Sequence, residues 1–224
     1  MQLSYSAQKH EVKVWDAPVR LFHWSLAFLV ALLWATGELG KLDIHMTLGV
    51  WALVLVVFRL AWGVAGSETA RFSHFVKGPK AILGYIAAAK AGTVRSIGHN
   101  PLGALSVLAL LAIVGVQSAS GLFTSDDIVT DGPLVHLATS KTVSLLSTVH
   151  RIGGKVILAL VAVHVGAVAF YKLVKKDDLL RAMITGTKRV PAGVAGIEFV
   201  APWRAAILFA AACALVWGGL AALK

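Results

Sequence analysis

The sequence predicts an all-α integral membrane protein, and three observations carry that prediction. Of its 224 residues, 58% are hydrophobic and only 14% are charged, whereas a soluble domain usually has about 25% charged residues. Mean hydropathy is +0.78. The apolar residues gather in five long runs, roughly Leu21–Gly37, Ile44–Ala65, Leu102–Phe123, Leu145–Val174 and Ala205–Leu223. Each can supply the approximately 20 residues that cross a bilayer. Finally, basic residues crowd alternate connections, as expected of a chain threaded back and forth across a membrane.

The punctuation of the chain supports each span in turn. Asp16-Ala17-Pro18 reads as an N-cap followed by proline in the first turn of span 1. Asp43 precedes span 2, and Gly63-Val64-Ala65-Gly66 closes it. Ala81–Lys90 has the composition of a short amphipathic helix on the membrane surface. Asn100-Pro101 opens span 3 as Asp16 and Pro18 open span 1. Thr124–Ser140, with Asp126, Asp127, Asp131, Gly132 and Pro133, reads as an acidic loop. The fourth run is longer than a bilayer requires, so it is expected to tilt or to begin outside the membrane. Lys175–Pro191 reads as a solvated basic linker, and Pro202 opens span 5.

Charge sets the expected orientation. Five basic residues (Arg71, Lys77, Lys80, Lys90, Arg95) lie between spans 2 and 3, and seven (Lys172, Lys175, Lys176, Arg181, Lys188, Arg189, Arg204) between spans 4 and 5. Lys9, Lys13 and Arg20 add to the N-terminal side, whereas the other connections carry only Lys41 and Lys141, and Lys224 ends the chain. The positive-inside rule then places the N-terminus in the cytoplasm and the C-terminus on the periplasmic or exterior side. The formal charge of +10 follows from this topology, so the lipid bilayer is the expected partner and nucleic acid is not. MQLSYSAQKHEVKVWD is largely polar and has no apolar stretch, so no cleaved signal peptide is expected. Cys213, the single cysteine, excludes an intrachain disulfide, and no CxxCH motif signals covalent haem attachment.

Ionisable residues inside spans are expensive and point to function. Of eight histidines, His10, His74, His99 and His136 fall in polar segments and read as solvated. His23, His45, His150 and His164 fall in or at the edges of spans. His150 and His164 are fourteen residues apart. Fourteen steps of about 100° end about 40° short of four turns, so both rings leave span 4 on nearly one face, roughly 21 Å apart. The alternating direction of the spans pairs His45 with His150 near the exterior and His23 with His164 toward the cytoplasm.

Two imidazoles facing across a helical bundle suit an iron porphyrin ligated on both axial faces, which favours electron transfer over O₂ binding. Two such bis-histidine haems are the reading the spacing favours, and Gly49, Gly153-Gly154 and Gly166 offer room beside the histidines. Spacing leaves open a proton relay or a metal path. Copper or zinc transport usually adds Cys, Met or acidic ligands, but Met46 is the only methionine in the span interiors, which have no Asp or Glu.

Several motifs resemble a known family. Val14-Trp15-Asp16-Ala17-Pro18-Val19-Arg20-Leu21-Phe22-His23-Trp24 is similar to the first helix of the prokaryotic cytochrome b561 family, which includes the cytochrome b subunits of nickel–iron hydrogenases. His45-Met46-Thr47-Leu48-Gly49 with Arg59-Leu60-Ala61-Trp62-Gly63 resembles its second helix. GSETARFSHFVKGP (66–79) and Gly98-His99-Asn100-Pro101-Leu102-Gly103 resemble its second loop and third-helix entry. His150 and His164 match its paired histidines on helix 4.

The resemblance covers about residues 12–190. It implies a four-helix haem-binding bundle in residues 1–190, with 191–224 as a linker and an additional C-terminal transmembrane helix. It also implies non-covalent haem b with His23, His45, His150 and His164 as axial iron ligands; the number of haems, two, comes from the spacing of these histidines. Electrons would pass between the quinone pool, with a quinone or quinol as a further ligand, and a periplasmic c-type cytochrome or other oxidoreductase. A stand-alone superoxide- or quinone-reactive oxidoreductase and a haem or metal transporter are the alternatives. Arg151 and Lys155 on the exterior side, and Arg20 and Arg59 on the cytoplasmic side, are candidates either to neutralise haem propionates or to snorkel to lipid headgroups. Asp126, Asp127 and Asp131 are expected to meet a basic surface of the partner.

Overall fold

A computed structural model describes residues 9–90, 98–126, 128–191 and 196–223. Arg95, Asp127, Lys224 and the first eight residues, all used in the sequence reading, lie outside them. Among the described residues, five helices are long and apolar enough to cross a membrane: α1 (Ala17–Glu38), α2 (Leu42–Ala65), α5 (Pro101–Gly121), α6 (Ser140–Leu173) and α8 (Trp203–Ala222). Shorter elements are α3 (Phe72–Phe75), α4 (Pro79–Lys90), α7 (Leu179–Thr185) and two strands, β1 (Lys9–Lys13) and β2 (Thr187–Pro191). The surface helix expected at Ala81–Lys90 is α4, begun two residues earlier by Pro79.

The caps explain where the spans begin. Asp16 Oδ1 accepts from Val19 N–H at 2.8 Å, with Pro18 in the first turn of α1. Asn100 Oδ1 accepts from Gly103 N–H at 2.7 Å, with Pro101 at the start of α5. Thr139 Oγ1 does the same for Thr142 N–H at the start of α6. Asp43 sits inside the first turn of α2, two residues past the N-cap Lys41, where its negative charge suits the helix dipole.

Helix α2 is the hub. Nine of its residues are buried, from Val50 to Gly63. On one side Val50, Val54 and Phe58 share a core with Ala205, Ala212, Val216 and Leu220 of α8. On the other, α2 packs against α1 and α5, and α5 packs against α6. The fifth span is thus an outer buttress of α2. His136 Nε2 lies 2.9 Å from the Leu223 carbonyl oxygen, so the α5–α6 connection and the end of α8 share one face, here the C-terminal face.

The opposite, N-terminal face corrects one expectation. Lys175–Pro191 is not a solvated linker: it forms α7 and then β2, which pairs antiparallel with β1 in the register Lys9↔Pro191 to Lys13↔Thr187. Its basic composition hid the buried Ala182 and Val190, which join Val12 and Val14 in one cluster. Glu11 pairs with Arg181 and Arg189, and Lys188 with Asp177 at 2.8 Å. Gly186 ends α7 at φ +82°, a conformation that favours glycine. Its carbonyl accepts from Val14 and Trp15 N–H, which fixes the entry into α1.

Candidate functional site

The four span histidines meet in two pairs. The His45 and His150 ring centres lie 6.0 Å apart with planes at 83°. Those of His23 and His164 lie 6.3 Å apart with planes at 49°. A histidine nitrogen bonds a first-row metal at about 2 Å, and the ring centre lies about 1 Å behind it, so two axial imidazoles on one metal have centres about 6 Å apart. Both pairs have that separation.

Each pair joins helices that do not form one of the main packed seams. His23 faces His164 from α1 to α6, and His45 faces His150 from α2 to α6, whereas the close seams are α1–α2, α2–α5, α2–α8 and α5–α6. Helices α1 and α6 have correspondingly little buried surface: Val19 alone in α1, and Val143, Gly153 and Ile157 in α6. A bulky apolar group held by the paired rings would fill this space. Between the two levels lies a buried apolar layer of Val56, Leu111, Val114 and Ile157. Ile157 is seven residues from each histidine of α6, and two such steps keep it close to their face.

Backbone carbonyls orient the rings nearer the C-terminal face. His45 Nδ1 lies 2.9 Å from the Leu33 carbonyl oxygen, and His150 Nδ1 lies 2.9 Å from that of Gln117. Donation from Nδ1 leaves Nε2 of each ring free with a lone pair, the tautomer a metal needs. The two contacts are built alike. Leu33 precedes Gly37 by four residues, and Gln117 precedes Gly121 by four. A Cβ on Gly37 would lie 3.4 Å from His45 Nδ1; one on Gly121 would lie 2.9 Å from His150 Cε1. Glycine therefore lets each ring settle over the helix that holds it. At the other level, His23 Nδ1 is buried without a partner, and Trp24 packs edge-on at 4.9 Å.

The expected glycines divide into two groups. Cβ atoms on Gly49 and Gly166 would meet nothing within 4 Å; Gly49, one turn from His45, leaves room beside that ring, whereas Gly166 is exposed and about 200° round α6 from His164. Gly153 and Gly154 instead face the side chain of Gln117, and a Cβ on Gly153 would overlap it. Among the propionate candidates, Arg151 and Lys155 are exposed. Arg20 donates from Nη1 to the Ile184 carbonyl at 2.6 Å, tying α1 to α7. Arg59 is only 3% exposed.

Of the loop histidines, His10 and His136 are exposed, and His74 is exposed beside Glu68 at 3.3 Å. His99 departs from the expectation of a solvated ring. It lies between Trp15 and Phe75, each ring centre 4.5 Å away. Burial, with the Arg59 charge second, pushes its pKa down to about 3, so the imidazole is neutral. At the C-terminal face, Asp126 Oδ1 accepts from the N–H groups of Ile128, Val129 and Thr130. These bonds hold its carboxyl down at about 2. A cavity of about 560 Å³ lies beside it, lined by Asp131, Ser144, Ser147, Thr148 and Arg151 among others.

Among the described residues, no cluster of three or more His, Cys, Asp or Glu side chains offers a metal site. Two nitrogens fall short of the four ligands that zinc usually takes, but they complete an iron already held in a porphyrin plane. The donor set and the ring separation fit haem, and neither α1–α6 nor α2–α6 is a packed seam that would exclude it.

Together these features define a membrane helical bundle built around paired imidazoles at two depths. The family model for prokaryotic cytochrome b561 matches residues 14–186. The chain belongs to this family: it is a multi-pass membrane b-type cytochrome that binds haem b and acts in electron transfer. No curated protein matches the sequence at a significant level.

Proposed function

We propose that the chain holds two non-covalent haems b, one between His45 and His150 and one between His23 and His164, and carries electrons between the quinone pool and a redox partner at the periplasmic face. One observation carries this reading: two facing imidazole pairs share the single wall of α6 at both depths. Bound haem supplies a one-electron iron couple. The chain's own part is to fill both axial positions with imidazole, fix the His45 and His150 tautomers through Leu33 and Gln117, and keep water out with the Val56–Ile157 layer. Membranes containing the full chain should show both haems reduced by added quinol and reoxidised by a periplasmic c-type cytochrome or other oxidoreductase. Turnover of superoxide or quinone by the purified chain alone would instead make it a stand-alone oxidoreductase.

The N-terminal face carries most of the loop basic residues and is the cytoplasmic one in this reading. A periplasm-dependent reporter fused to the C-terminus should therefore be active, and a cytoplasm-dependent one inactive. The reverse pattern would overturn the orientation.

The periplasmic partner docks at the acidic loop beside the His45–His150 level. Asp126 is committed to its own loop backbone, so Asp131, on the cavity wall, is the cleaner probe. Asp131→Asn should slow electron transfer to a basic partner several-fold at low salt, because complementary charge acts mainly on association rate. The difference should fade at high salt, where the Debye length shrinks. Equal rates at low salt would remove this loop from the docking surface.

A further inference from the structure

Arg59 is a buried cation with an unsatisfied donor, and among the described residues no carboxylate forms an ion pair with it. It is 3% exposed, and its Nη1 is buried with no hydrogen-bond partner. Its guanidinium lies 4.9 Å from the centre of the Phe72 ring, a contact that does not replace an ion pair. Asp16 supplies a negative charge within electrostatic reach but no hydrogen bond: its Oδ1 accepts from Val19 N–H and its Oδ2 from Trp62 Nε1–H at 3.0 Å. A buried guanidinium nitrogen left without a hydrogen-bond partner is costly enough that such groups normally have one.

The depth of Arg59 says what that partner is. It follows His45 by fourteen residues on α2, as His164 follows His150 by fourteen on α6. Both helices run from the C-terminal to the N-terminal face. Arg59 therefore stands level with the His23–His164 pair and within about 40° of the helix face that carries His45. Phe72, beneath its guanidinium, packs against the apolar layer between the two levels. A second unsatisfied group stands within electrostatic reach: His99, whose Nδ1 is also buried without a partner. A cation and a neutral imidazole, both short of a hydrogen-bond partner, suit a carboxylate.

We propose that Arg59 and His99 form a buried carboxylate clamp for a propionate of the haem held by His23 and His164. The clamp rests on the two-haem reading and extends it. His99 gives the guanidinium a neutral neighbour, so the site adds one positive charge to the haem edge rather than two.

The test uses the full chain in lipid nanodiscs, with haem labelled with ¹³C at its propionate carboxyls. Arg59→Gln should lower the midpoint potential of the haem that is lost in His23→Ala, because the lost cation favours the more negative reduced form. A shift of about tenfold in the redox equilibrium, about 59 mV for one electron, is expected there, with the other haem unmoved. Arg59→Lys keeps the charge and should retain most of the potential. His99→Phe keeps the packing between Trp15 and Phe75 but removes Nδ1; like Arg59→Gln, it should shift the labelled carboxylate bands in redox-difference infrared spectra. If Arg59→Gln does not accumulate, Arg59→Lys and His99→Phe decide through those bands.

Unmoved bands and potentials with two haems bound would sink the clamp alone. A shift confined to the other haem, or a change in lipid phosphate bands in place of carboxylate bands, would also overturn it. A wild type lacking the haem at this level would sink the two-haem reading itself.

Discussion

His23→Ala and His164→Ala should each remove or convert the same haem, and His45→Ala and His150→Ala the other. The ring pairs are 6.3 and 6.0 Å apart within a level, whereas the levels are separated by roughly 21 Å along α6. Losing one axial imidazole leaves the iron five-coordinate or empties that site, and the buried layer around Val114 and Ile157 insulates the second. Potentiometric titration of the four variants, with pyridine haemochrome counts, should sort them into two classes of two. His23→Ala and His164→Ala variants that lose different haems would refute the pairing; four variants with full haem would favour a proton relay.

Gly121→Ala should damage only the haem held by His45 and His150. The new methyl would lie 2.9 Å from His150 Cε1 and 3.2 Å from its Nδ1, so the ring or α5 must move, and the 2.9 Å contact to the Gln117 carbonyl must change with it. Disturbing the group that orients a metal-bound histidine typically costs about 10–100-fold in metal affinity or activity. The expected result is partial loss or a high-spin fraction at that haem, with the other haem normal. Gly37→Ala is the built-in control, since its methyl would reach only ordinary contact, 3.4 Å from His45. Electron paramagnetic resonance spectra that are identical for Gly121→Ala and wild type would show that the ring tolerates the methyl.

The parts of the site that were legible in the sequence are those that lipid makes conspicuous. Imidazoles in apolar spans stand out, and the fourteen-residue step between His150 and His164 fixes their common face. The same step from His45 to Arg59 was equally readable. The carbonyl contacts were not: every residue has a carbonyl, and Gly37 and Gly121 look like any small residue in a membrane helix. His99 looked solvated because its cover comes from distant segments, Trp15 at the entry to α1 and Phe75 in α3. The β1–β2 pair joins segments that charge alone marks as loops, and only Val12, Val14 and Val190 hint at a buried side. The helix starts at Asp16 and Asn100 could be read because their caps are local, whereas the packing of α8 on α2 depends on tertiary contacts.

The central claim is that α6 is the shared wall of two haem sites, and the haem content of the wild-type chain tests it most directly. Pyridine haemochrome analysis of protein purified in mild detergent, with the chain quantified by amino-acid analysis, should give two non-covalent haems b per chain. Both should be low-spin in the ferric state, as two axial imidazoles require. One haem per chain, or a high-spin iron in the wild type, would contradict the account.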